Sequence, residues 1–578
     1  MAQGSVFDRL PGRHVLAAVA IAAFRRPGRE WAGSAPHRWL LAQGRPEGLA
    51  AIPRDLRPAS LSLGRQIIAG AFVLGGETLA PGARGDPWSR PSPSRRFAVL
   101  LHRFGWMGDL LAAGPEGGTE GLRLTLEWAR SFGRWNAFAW APEVLERRVF
   151  NLACAARTIC AHASDAEAAQ VAFDLCRQAR ALLQVDDGPA RRAERCAAAA
   201  VAGAALGGRA GERLLEQALQ RLRRTLPLTV TPDGGHASRS PQAALELYFD
   251  LSTLDDALTQ RGLSAPEELL RAIDRLSGAV RFFTLADGRL AAFQGGDELD
   301  RAYVAAARAA EDGSADRAAP AARNGYHRLE ARSLQICADA APPAPGPWSV
   351  AGCAQPLAIE VLVGQRRLIV GGGWSPDAQA PHAMRLVDAA STASIGDAAC
   401  GAPLRGFAAE VLGPQLLGGV RQVDARRHET PGALWLELSH DGWVERFGLR
   451  HERRLYIDIE ADELRGEDRF SPVVGQGNPH GRRFVPFMVR FHLHPDVRAQ
   501  IARDRKSVLL KPEGDSRGWW LRNDAVEVVL EPSVHYSLGR PRRSQQIVLR
   551  GQARLAEGAR VRWKLSAAGR VDAEPAEP

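Results

Sequence analysis

Lysine is nearly missing from this chain. Only Lys506, Lys511 and Lys564 occur, so almost all of the 75 basic residues are arginine. The net charge of +10 suits polyanions such as nucleic acid, anionic membrane or acidic polysaccharide. The arginines are dispersed rather than blocked, and a GC-rich genome would give the same bias, so charge alone does not choose among these partners. Paired cysteines are missing too. The seven, at 154, 160, 176, 196, 337, 353 and 400, form no CxxC, are odd in number and fall partly in Ala-rich stretches. Buried free thiols are expected rather than a disulfide framework or a zinc site. No apolar run reaches the roughly 18 residues of a transmembrane helix. The stretch HVLAAVAIAAF (14–24) runs into Arg25-Arg26 rather than a small-residue cleavage site. It reads as an amphipathic or buried helix, not a signal peptide, and the expected location is cytoplasmic or peripheral to the envelope. There is no P-loop, no GxGxxG entering a helix, no GxSxG elbow and no nucleic-acid module, so nucleotide binding, serine hydrolysis and nucleic-acid recognition lack support. No repeat of a named solenoid family is visible.

What the 578 residues do contain is two halves of different period, and that length calls for more than one core. From about 121 to 313, apolar residues recur at i, i+3, i+4 and i+7 in successive stretches such as PEVLERRVFNLACAARTICAHA and AEAAQVAFDLCRQARALLQ. Short Gly, Pro or Asp breaks separate them, which predicts stacked antiparallel helical hairpins. After about 320 the runs are short and alternating. In FMVRFHLH (487–494), Phe487, Val489, Phe491 and Leu493 share one face, as in a large antiparallel sandwich. The predicted fold is α+β in two domains, helices first.

Several strings carry more than a period. They are PDGGHASRSP (232–241), NGYHRLEA (324–331), PHAMRLVD (381–388), SHDGWVERFGLRHERRLYID (439–458) and DELRGEDRF (462–470). In this order, from about 120 to 565, the chain resembles the heparinase II/III-like family of polysaccharide lyases. The resemblance implies an incomplete α/α toroid over 121–320 and a β-sandwich over 321–570, with a substrate cleft between them. Residues 1–120 would pack on the toroid, and 571–578 would be a disordered tail. It also implies cleavage of an acidic, uronic-acid polysaccharide by β-elimination. That chemistry needs a group to neutralise the uronate carboxylate and a Tyr or His to take and return protons.

On this resemblance His236 and Tyr326 are the candidate proton-transfer residues. Arg239 is the candidate carboxylate neutraliser, Ser238 a substrate contact beside it, and His382 the contact from the β side. The sequence departs from the family elsewhere. The stretch 191–208 lacks the Asn-His pair that lyases carry on a toroid helix, and Ser240-Pro241 leads into Gln242-Ala243-Ala244 without a tyrosine. Metal-binding relatives carry a His string, an aspartate and a later His. Here 348–360 and 368–373 contain no His or Asp, and only His382 matches. No metal and no cofactor are expected. The alternative is a catalytically degenerate glycan-binding or envelope-associated scaffold.

Each candidate also has a plainer reading. His236 can cap its turn, Arg239 can be a solvated surface residue, and Ser238 or Ser240 can cap the helix that starts at Pro241. Tyr326 can be an edge-strand aromatic packed on the helices. His440-Asp441-Gly442 reads as a hairpin turn, His492 and His494 as a polar sandwich face, and RPRRSQQ (540–546) as a solvated loop.

Overall fold

Among the described residues, helices occupy the chain from Gly12 to Ala309 and strands from Ala322 to Ala567, apart from one short hairpin, Phe72–Leu74 with Glu77–Leu79, and two short α-helices and three 3-10 turns in the second half. The computed structural model describes residues 12–310, 321–376, 378, 380–474, 483–515 and 517–568. The expected tail at 571–578 lies outside them. The helical half and the sandwich follow the predicted order.

The centre of the helical half is Arg192–Ala205, which is buried all round and flanked by Pro142–Ile159, Asp165–Leu183, Gly208–Thr229 and Pro241–Gln260. A helix that is apolar on every face belongs in a core, and its alanines let the neighbours come close. At Gly203 an added Cβ would lie 2.6 Å from the Leu215 backbone nitrogen. Local signals set the boundaries. Ser164 and Glu167 form a reciprocal capping box at Asp165–Leu183. Ser240, not Ser238, caps Pro241–Gln260, accepting from the Ala243 amide with Pro241 at the first position.

Of the two readings of the N-terminal helix Gly12–Gly33, amphipathic or buried, the buried one does not hold. Ala18 is in a core, but Leu16 and Phe24 are 71% and 84% exposed. All seven cysteines are free, and five are buried.

Two antiparallel sheets share the second core. One has eight strands, in the order Val423–Thr430, Ala433–His440, Leu449–Asp458, Glu463–Pro472, Ala559–Ala567, Trp519–Asn523, Ser507–Pro512 and Val497–Ile501. The other runs from Glu527–Ser537 through Arg540–Arg554 and Phe484–Leu493 to the strands between Ala322 and Val370. Phe487, Val489, Phe491 and Leu493 all face inward, as their alternation requires. Two expectations fail here. RPRRSQQ is the start of strand Arg540–Arg554, with its arginines exposed along an edge-side ribbon rather than in a loop. His440-Asp441-Gly442 does not close a tight hairpin, because a one-turn helix, Val444–Phe447, separates the strands. His440 instead starts a buried relay. Its Nε2 is 3.1 Å from His451 Nδ1, and His451 Nε2 is 2.8 Å from Asp468. Arg453 also binds Asp468, at 2.7 Å.

Candidate functional site

The Pro-Asp-Gly-Gly turn after Gly208–Thr229 docks the first β-hairpin onto the helices. Gly234 has φ of 97°, and a Cβ there would lie 2.2 Å from the Arg275 carbonyl. At Gly235 a Cβ would fall 2.0 Å from Asn324 Cγ, so only glycine leaves room for that side chain. Asn324 fills the space and donates from Nδ2 to the His236 carbonyl at 3.1 Å.

Arg239, also at positive φ (63°), completes the joint. Its guanidinium donates to the carbonyls of Asn324, Gly325, Ala341 and Pro342 and to Asp339 Oδ1 at 2.6 Å. It lies 4.6 Å over the Tyr326 ring, and the Tyr326 hydroxyl donates back to the Arg239 carbonyl at 2.9 Å. Phe283 and Phe293 close around Tyr326 at 5.2 Å each.

The structure thus brings His236, Ser238, Arg239 and Tyr326 together, but under cover. Arg239 is not solvated and has no donor turned to a cleft, since all of its directed bonds go to the neighbouring hairpin and the segment after its second strand. Tyr326 is fully buried, and burial, only partly offset by Arg239, pushes its hydroxyl well above the usual range. Ser238 accepts or donates at His236 Nδ1 (2.6 Å) and receives the Ser240 amide. Among the described residues, no hydrogen bond, ion pair or ring contact links His382 to this group. His382 instead lines a separate cavity of about 560 Å³ with Arg405 and Glu410, and its buried Nδ1 has no partner. Among the described residues no group of three metal-ligating side chains includes His382, so the described residues at the family's metal positions do not fit a metal ion.

Behind His236 lies a feature that the sequence reading passed over. His236 Nε2 and Glu194 Oε1 approach to 3.4 Å, both side chains 4% exposed. Trp348 stands edge-on to the imidazole at 5.7 Å. Burial would raise the Glu194 carboxyl, but Arg191 and His236 together outweigh it and hold the group at about 2. Arg191, half-exposed, also binds Glu146. Nearby, Asp250 takes both Arg57 and Arg147 at 2.8 Å, and Arg57 reaches Glu246 and Tyr303. The available signal was a charged pair, Glu194-Arg195, inside an otherwise apolar run. A charge in such a place must have a partner.

The profile of the family described as Heparinase II/III-like, C-terminal, matches residues 314–564. FtsZ-localized protein C of Caulobacter vibrioides (strain NA1000 / CB15N) is 52% identical over 562 residues, covering 97% of each chain. The crystal structure of heparinase III superposes with a TM-score of 0.69 at 14% identity, covering 97% of this chain and 92% of that one. Heparan sulfate lyase HepC from Pedobacter heparinus gives 0.56 at 14% identity, over 97% and 91%. These two establish likeness of fold.

Proposed function

The chain belongs to the heparinase II/III-like family, and from that premise we propose that it keeps the lyase scaffold without β-elimination and acts as a binding protein that associates with FtsZ. One observation carries the first half. On the helix where lyases present a carboxylate-neutralising Asn-His pair, this chain presents Glu194, ionised at neutral pH. Glu194 is buried and its charge faces Arg191 and His236, so this helix position offers no donor to a uronate carboxylate as negative charge builds on it. The burial of Tyr326 and the engagement of Arg239 with backbone carbonyls support the same reading. The second half rests on the name of the 52% relative and on the apolar side chains that the N-terminal helices turn outward, Leu16, Phe24 and Trp39 among them. Exposed apolar groups of this size mark interaction surfaces.

A panel of uronic-acid polysaccharides tests the first half, because β-elimination creates an unsaturated, ultraviolet-absorbing product. No new absorbance should appear with any of them. Co-pelleting with polymerised FtsZ tests the second half: binding should saturate and should weaken in Leu16→Glu/Phe24→Glu. Absorbance that grows with enzyme concentration would overturn the reading. It would favour a second one, an active lyase working from the cavity where His382 and Arg405 offer a proton carrier and a cation. Loss of that absorbance in His382→Ala would then identify the site.

A further inference from the structure

We propose that Glu298, His494 and His535 form a zinc-class metal site that pins the end of the helical half to the sandwich. The three come from distant parts of the chain. Glu298 lies between the helices Glu267–Phe283 and Arg301–Ala309, His494 just after strand Phe484–Leu493, and His535 in strand Glu527–Ser537. One ligand atom from each lies within 4.8 Å of the others. Zinc bonds of about 2.0–2.2 Å in a tetrahedral shell place ligand atoms about 3.3 Å apart, so binding asks only for an inward shift of side-chain ends.

One donor atom lacks other work: His535 Nε2 is buried without a hydrogen-bond partner, a costly state that a bound cation would relieve. Glu298 Oε2 has no hydrogen bond either, only its 3.2 Å ion pair with Arg367. Their supports are already built. His535 Nδ1 lies 2.9 Å from the Gly371 carbonyl. A carbonyl only accepts, so the proton sits on Nδ1 and the lone pair on Nε2, the arrangement that orients metal-bound histidines. His494 Nδ1 accepts from the Asp496 amide at 3.3 Å, so ligation through Nε2 would turn the ring proton onto Nδ1, toward the Asp496 carboxylate 3.4 Å away.

The electrostatics point the same way. Arg289 and Arg367 hold Glu298 at 3.0 and 3.2 Å, but Arg367 is shared with Asp287 and Glu360. Two guanidiniums face three carboxylates. A divalent ion would supply the missing positive charge. Ser537 also bonds Glu298, and Asp297 accepts the amides of Leu538 and Gly539 at 3.1 and 2.7 Å, so the segment is already clasped to its strand. His492, two residues before His494, is not part of the site. Its nitrogens are spent on Ser533 and on the Asp388 carbonyl.

The full chain, purified without a polyhistidine tag and stripped with chelator, should take up one Zn²⁺ per molecule. Co²⁺ should give the visible d–d absorption of a four-coordinate N/O site, and the thermal midpoint should rise with added Zn²⁺. Glu298→Gln, which keeps the side-chain shape, and His535→Ala should each weaken Zn²⁺ binding by about tenfold or more. The exposed His428→Ala should bind as the unaltered chain does. Failure of the unaltered chain to take up Zn²⁺ or to change the Co²⁺ spectrum would overturn the site. So would stoichiometric binding that persists in both variants.

Discussion

Arg239 concentrates five hydrogen bonds, one of them also an ion pair, and a ring contact on a single buried side chain. Removing it leaves Asp339 buried without a cation, held by neutral donors, Gln294 at 3.1 Å and the Ala341 amide at 3.3 Å. Breaking such a pair typically costs about 3–5 kcal/mol. Arg239→Ala should therefore lower the urea midpoint severely, and Arg239→Lys should recover only part of the loss, because an ammonium cannot match the planar fork. A residue serving substrate instead would leave the midpoint in place.

Asp468 and Glu194 make the acid limb of stability readable. In both, burial raises the carboxyl, but a neighbouring arginine and histidine together outweigh it and the folded value lies below the unfolded one. Each therefore contributes stability above its unfolded pKa, near 4, and loses it as pH falls through the folded value. Urea midpoints should drop between about pH 4.5 and pH 2, and the drop should be shallower in Asp468→Asn. The sequence named the residue types at the joint but not their cover. His236, Arg239 and Tyr326 are hidden by one another and by residues about a hundred positions away, which no local pattern encodes.

At the level of helices and strands the sequence was far more legible. The period-two run 487–493 and the Ser-Pro boundary at 240–241 were each set by local chemistry and appear as read. The failures share a cause. RPRRSQQ looked like a loop because its charges line an exposed ribbon, and His440-Asp441-Gly442 looked like a hairpin because the one-turn helix after it is too short to show a period. Gly203 gives a sharp test of packing against propensity. Alanine in that helix should gain about 1 kcal/mol of propensity. Its Cβ, however, would press on the Leu215 backbone, and overpacking costs about 1–3 kcal/mol. Packing should win, so Gly203→Ala should melt lower than the parent.

Across the whole molecule the joint makes two cores behave as one. Arg239 and Asn324 bridge them at the turn, and Arg367 reaches from the sandwich to Asp287 and the Leu290 carbonyl. Hydrogen exchange followed by mass spectrometry should give the helix 241–260 and the strand 334–339 similar opening free energies. In Arg239→Ala the two should diverge. The charges themselves are also shared out: buried arginines such as Arg239, Arg367 and Arg453 are paired with carboxylates, and exposed ones are spread over both halves, which is why net charge alone did not identify a partner.

The socket at Gly234 and Gly235 also bears on the order of assembly. It exists only once the helices on either side of it have formed, and it receives Asn324, which lies in the first hairpin of the sandwich. A chain leaving the ribosome from its N-terminus builds the receptacle before it makes the key. The helical half then acts as a nascent-chain template, on which the earliest strands find their register before the remaining strands of their sheets have been synthesised.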